Sequence, residues 1–176
     1  MSSAKAFSHA STLKVNRFLK ALDWTTTRLG LNAPPIVELA YLRSLPVGTF
    51  GCAWANHLDT QGLQPFTGGS RRQQLHDGVH VLTGYGTDPL GEAEVQAFLL
   101  GAKFHPIHLI LMAGLLRSLN RSLQPHRILR SNVRSRLQAA YQRGQQAQFD
   151  PDTWQPETLW EQSLSAVTAQ FGLGLN

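Results

Sequence analysis

Apolar positions recur every three to four residues along almost the whole chain, the period of helices, and nowhere alternate in the manner of a half-buried strand. In "TLKVNRFLKALDWTTTRLGL", Leu13, Phe18, Leu19 and Leu22 fall on one apolar face. Pro34-Pro35 opens the next helix, "PIVELAYLRSL", with Pro35 in a first-turn position where its missing N–H costs little. Pro46 ends it. A short helix is expected from about Thr49 to His57, followed by the Gly/Pro-bearing loop "LDTQGLQPFTGGS".

Ser70 then caps a helix carrying His76 and His80, and Gly84 and Gly86 stop it. Asp88-Pro89 begins another, with Asp as cap and Pro in the first turn, running to roughly Asn120. Pro106 should kink it, because proline removes one backbone hydrogen bond and clashes with the preceding turn. An arginine-rich helix spans about His126 to Gln145, and a last one about Glu157 to Phe171. The fold these elements predict is all-α: a single-domain helical bundle of about six to seven helices around a long, Pro-kinked central helix. Residues 1–11 are expected to be a flexible start.

The middle of the central helix, "AFLLGAKFHPIHLILMAGLL" from Ala97 to Leu116, is long enough to span a bilayer. Lys103, His105, Pro106 and His108 argue against that, since polar groups facing lipid are costly. A helix apolar nearly all round is either core or the wall of an apolar cavity.

Composition narrows the setting. The chain has 176 residues and one cysteine, Cys52, which excludes an internal disulfide and a thiolate metal cluster and fits a reducing compartment. The start "MSSAKAFSHASTLK" lacks an apolar signal region, so no cleavable signal peptide is expected. Its Ser-rich, basic, acid-free composition has some likeness to an organelle transit peptide, but a short disordered start before the first helix is the preferred reading. The net charge of +5 is uneven: no Asp or Glu occurs from Val95 to Phe149, where Lys103 and seven arginines lie. An anionic partner or a solvated helix face accounts for this equally well. Arginines one turn apart, Arg117 with Arg121 and Arg130 with Arg134, suit a phosphate or an anionic lipid head group. No nucleic acid is expected, since aromatics are not interleaved among the arginines for stacking on bases.

The stretch "LHDGVHVLTGYGTDPLGEAEVQAF" concentrates candidate chemistry. On a helix His80 lies only about 40° from His76, with Asp77 between roughly 60° and 100° away, so the three can converge. The reversal "GYGTDPLG" can return Glu92 to the open side of the same point. His76, Asp77, His80 and Glu92 are therefore candidate ligands of a divalent cation, for which zinc fits best and magnesium, manganese or iron remain alternatives. HDGVH also approaches the HExxH of zinc hydrolases, but Asp is a methylene too short to serve as their base. Surface histidines on a polar helix face are the bland alternative.

These residues closely resemble the signature of the ubiquinone (coenzyme Q) biosynthesis protein 4 family: HDxxH, eleven residues, then Glu. Upstream, "LRSLPVGTFGCAWANHL" resembles the family's LPxGTxGxxYxxF, with Leu45, Pro46, Gly48, Thr49, Phe50 and Gly51 in place. "AAYQRGQQA" and "LWEQSLSAVTAQFGL" match more loosely, and Gly78 stands where the family often has a bulky residue.

The resemblance implies an all-helical protein holding a divalent metal through His76, Asp77, His80 and Glu92. It implies a prenylated quinone precursor or isoprenoid lipid in an apolar channel, and oxidative decarboxylation of the ring. It further implies partnership with other quinone-biosynthesis enzymes at a membrane surface, which the arginine pattern suggests is anionic. The protein is expected to be cytoplasmic and peripheral to that membrane. A second copy of the chain is also among the expected partners. Leu75, Val79, Leu82, Phe98, Leu99, Ile107 and Ile110 are the expected lining of the tail site, with the head turned to the metal. Whether the protein is an enzyme, a scaffold or a lipid carrier stays open. A metal-dependent hydrolase and a metal-free helical module for an acidic partner are the competing readings.

Overall fold

Polar caps and prolines set most of the helix boundaries. The computed structural model describes residues 33–122 and 127–174, except the side chains of 118–122 and 127–131. The expected helix at Leu13–Leu22 and the flexible start at 1–11 lie outside the described residues, which hold eight α-helices and no sheet. They are α1 (Leu39–Ser44), α2 (Phe50–Gln61), α3 (Arg71–Gln74), α4 (His76–Thr83), α5 (Pro89–Ala102), α6 (Pro106–Ser122), α7 (Arg127–Gln146) and α8 (Leu164–Gln170). The Thr49 hydroxyl accepts from Cys52 N at the start of α2, and Asp88 accepts from Leu90 N and Gly91 N at the start of α5 with Pro89 in the first turn. The Ser70 side chain accepts from Gln73 N at the start of α3. Each satisfies an amide that a helix start leaves without a partner.

Three expectations are corrected. Pro35 does not start a helix: α1 begins only at Leu39, because the preceding chain is tied elsewhere. The buried Gln74 side chain accepts from Ile36 N at 3.0 Å and donates to Ala33 O at 2.9 Å, which ties the segment before α1 to α3. The central helix is broken rather than kinked. It ends at Ala102, Lys103 is extended (φ −155°, ψ 117°), and Pro106 begins α6, which packs back against α5. The last helix is shortened to α8, behind a 3₁₀ turn at Pro156–Thr158. Gln162 O and Trp160 O accept from Phe50 N at 2.8 Å and Gly51 N at 2.9 Å, so that segment caps α2 instead of coiling.

The core gathers Phe50, Trp54, Leu58, Leu75, Leu82, Phe98, Phe149 and Trp154 between α2, α4, α5 and the chain after α7. The rings of Trp54 and Trp154 stack with centroids 6.0 Å apart. α5 packs most closely on α7, where Gly101 and Gly144 face the opposite backbone: a Cβ on Gly144 would strike Phe98 O and one on Gly101 would strike Tyr141 O. That crossing fixes α5, whose first turn carries Glu92, against the rest of the bundle.

Candidate metal centre

α4 carries two histidines one turn apart, and the connection to α5 brings the third donor to them. Gly84 ends α4 in the left-handed conformation (φ 74°), and the chain reverses so tightly that a Cβ on Gly91 would collide with the Gly86 carbonyl. Glu92 is thereby held against α4. His76 Nε2 lies 3.1 Å from Glu92 Oε2, His80 Nε2 3.3 Å from Glu92 Oε1, and the two Nε2 atoms 3.3 Å from each other. A tetrahedral ion with bonds of about 2.0–2.1 Å separates its donors by roughly 3.3–3.4 Å. The three groups therefore stand near the spacing of three corners of such a site.

The electrostatics agree. His80 is buried and its Nδ1–H donates to Tyr85 O at 3.1 Å, which leaves Nε2 as the lone-pair nitrogen facing the cluster. Burial alone would raise the Glu92 carboxyl, yet the imidazoles of His76 and His80 outweigh it and hold the carboxyl well below its usual range. Burial likewise disfavours charge on His76, but Glu92 outweighs it and raises the imidazole above its ordinary value. Two imidazoles and an ionised carboxylate fit a divalent metal such as zinc.

Asp77 is not brought into this trio. It is buried on α4, where desolvation raises its carboxyl against the opposing pull of His76, His80 and His57, but the donors lying within 4.8 Å of one another are those of His76, His80 and Glu92. Sequence reasoning missed His57, on α2. Its ring lies 5.6 Å from that of His80 with the planes 17° apart, and its Nε2 is buried without a partner. Nothing in the helical period separates it from an ordinary polar position at the end of a helix.

The expected tail-lining residues divide. Leu75, Val79, Leu82, Phe98 and Leu99 are buried in the core, Ile107 is half-buried, and Ile110 is 61% exposed. An apolar cleft of about 270 Å³ opens instead between α5, α6 and α7, lined by Ala97, Leu100, Met112, Leu116, Leu137 and Tyr141, with Arg134 at its edge. The basic patch also divides. Lys103 pairs with Asp150 and Asp152, Arg136 with Glu94, and Arg143 donates to Thr83 O and Leu173 O, so these three are bound up within the fold. Arg117 and Arg134 are exposed, while the side chains of Arg121 and Arg130 lie outside the described residues. No helix among the described residues is long and apolar enough to cross a membrane.

No protein-family model matches the chain. It is 27% identical over 180 residues to the ubiquinone biosynthesis protein COQ4 homolog, mitochondrial, of Bos taurus, and 28% identical over 190 residues to that of Homo sapiens. Each alignment covers 92% of the chain and 66% of the relative, so the chain spans somewhat less than two thirds of these curated proteins. The Mus musculus protein of the same name is 29% identical, over 78% of the chain and 54% of its own length. In fold, the chain is similar to a crystal structure from Nostoc punctiforme, provisionally described as a ubiquinone biosynthesis protein. The TM-score is 0.66 at 22% identity, over 93% of this chain and 81% of that one.

Proposed function

We propose that this chain, a homologue of the COQ4 ubiquinone biosynthesis proteins, is a metal-binding, prenyl-lipid-binding protein of quinone biosynthesis. The metal is zinc, held by His76, His80 and Glu92, with the Asp77 carboxylate buried beside them. The observation that carries the reading is the mutual spacing of three donors from two helices at 3.1–3.3 Å, with the tautomer of one of them set by Tyr85 O.

The isoprenoid tail lies in the cleft between α5, α6 and α7 rather than along the residues first expected. Each CH₂ buried there contributes about 0.8 kcal/mol, and Arg134 at the edge offers a cation to an anionic head group. The exposed apolar side chains of Phe104, Leu109 and Ile110, with Arg117 on the same helix as the last two, suit a position on an anionic membrane surface. Its partners there are the other enzymes of quinone synthesis and a second copy of the chain. The role it supports is oxidative decarboxylation of the prenylated ring precursor.

The test is elemental analysis and lipid extraction of the full chain purified without a polyhistidine tag or chelator. About one zinc per chain and a polyprenyl lipid are expected. Glu92→Ala should lose the metal and keep the lipid, and Leu137→Glu should do the reverse. Wild-type protein that takes up no divalent ion even on reconstitution would overturn the metal half. A folded Leu137→Glu that retains the lipid would overturn the cleft.

A further inference from the structure

A histidine that the metal reading leaves without a role stands beside it. His57 projects from α2, a helix packed directly on α4, and its ring centroid is 5.6 Å from that of His80. The rings of His76 and His80, which already converge, are 4.9 Å apart. Two imidazoles on one tetrahedral ion are separated by about 5 Å between ring centres. Both pairs stand near that value. The Nε2 of His57 is buried with no hydrogen-bond partner, an arrangement that costs free energy unless the atom meets something the protein alone does not supply.

We propose that His57 is a third imidazole donor of the metal site, completing the set begun by His76, His80 and Glu92. The inference rests on the metal reading above. Its nitrogens are not yet among the three donors within 4.8 Å of one another, so the ring turns about its side-chain bonds to join them. Charge balance favours this donor. Glu92 already supplies a carboxylate among the three converging donors, and an imidazole adds a ligand without adding charge. A third nitrogen also decides between metals. Imidazole suits zinc, whereas magnesium takes oxygen donors, so His57 is a specificity-determining ligand as well as a structural one.

X-ray absorption of the zinc-loaded full chain, prepared without a polyhistidine tag, counts the imidazoles around the metal. The expected count is three in the wild type and two in His57→Phe, Phe being the residue of the resembled LPxGTxGxxYxxF pattern at this position. Zinc affinity, measured by chelator competition, should fall at least about 10-fold in that variant, with weak magnesium binding unchanged. The cobalt-substituted protein should change its visible absorption in step. A wild-type count of two imidazoles, or a folded His57→Phe with unaltered zinc affinity and cobalt spectrum, overturns the inference and leaves the metal reading intact. Failure of the wild type to take up zinc removes both. Should His57→Phe not fold, His57→Gln and the wild-type count decide.

Discussion

Gly78, in the middle of HDGVH, sits against two tryptophans, and replacing it by alanine is a direct test of how the helix of His76 and His80 is seated. A Cβ built on Gly78 would collide with the six-membered ring of Trp54 and come within 2.8 Å of Trp154 Cη2. Both indoles are buried and stacked on each other, so neither has a flexible end that can move aside. Overpacking a tight core costs about 1–3 kcal/mol, and the rigidity of the obstacles puts this site at the upper end. Alanine recovers about 1 kcal/mol of helix propensity relative to glycine. The net expectation is a loss of about 2 kcal/mol, which for a chain of this size lowers the melting temperature by roughly 4–8 °C. Urea and thermal denaturation followed by far-ultraviolet circular dichroism measure it. Zinc affinity should drop in parallel, because moving α4 spreads His76 and His80 from Glu92. Trp54→Phe opens room, so in a double-mutant cycle the two substitutions together should cost less than their sum. A Gly78→Ala protein as stable as the wild type would refute the packing argument outright.

Other consequences can be checked alongside. His108 is buried on α6, with Nδ1–H donating to Gln96 Oε1 at 2.7 Å and Nε2 accepting from Arg72 Nη1 at 3.1 Å; burial and then Arg72 push its imidazole from 6.5 down to about 4. Since the folded value lies below the unfolded one, protons bind the unfolded chain first. Stability should be lost as pH falls from 6.5 towards 4, by about 3 kcal/mol at most, a dependence that His108→Gln should flatten in urea titrations. Burial disfavours charge on His76, but Glu92 outweighs it and raises the imidazole, so a proton there competes with zinc for the ring. Calorimetry in buffers of different ionisation enthalpy should find up to about one proton released per zinc, and none at all would contradict the pairing. Arg143→Ala should cost about 1–3 kcal/mol, because Thr83 O and Leu173 O both lose a charged donor, whereas an unchanged denaturation midpoint would show water replacing it.

What the sequence made legible was local. Asp88-Pro89 and Gly84 mark helix ends through interactions within a few residues, and the structure uses both as expected, whereas Ser70 caps the short α3 and not the helix of His76 and His80, which starts afresh after Leu75. The His76–His80 pair and Glu92 were legible for the same reason, a helical repeat followed by a Gly-bounded reversal. What failed was decided at long range. Nothing near Pro35 announces that Gln74 will take Ile36 N and Ala33 O, or that the chain at Trp160–Gln162 will be needed to cap α2. Gly78 reads as an oddity in the motif until Trp54 and Trp154, distant in sequence, are seen filling its space. His57 stayed hidden because its meaning depends on the packing of α2 on α4.

The apolar stretch from Ala97 to Leu116 shows most clearly where a hydrophobic pattern stops being informative. A helix apolar on every side presents no direction, so periodicity could not tell the residues facing the core from those facing a cleft. Breaking the chain at Lys103–His105 resolves the ambiguity by giving the two halves different neighbours. Phe98 and Leu99 turn into the core, Leu100, Met112 and Leu116 turn to the cleft, and Leu109 and Ile110 are left to solvent. This also changes how one ligand would reach both the candidate metal centre and the cleft. Leu100 follows Glu92 by eight residues, about 12 Å of rise, but is turned about 80° around the helix from it, and Ala97 about 140°. A ligand with its head at the metal and its tail in the cleft must therefore pass around α5 rather than run straight along one face. The two features are separated by the body of a helix, which is the physical reason Glu92→Ala and Leu137→Glu should act independently of each other.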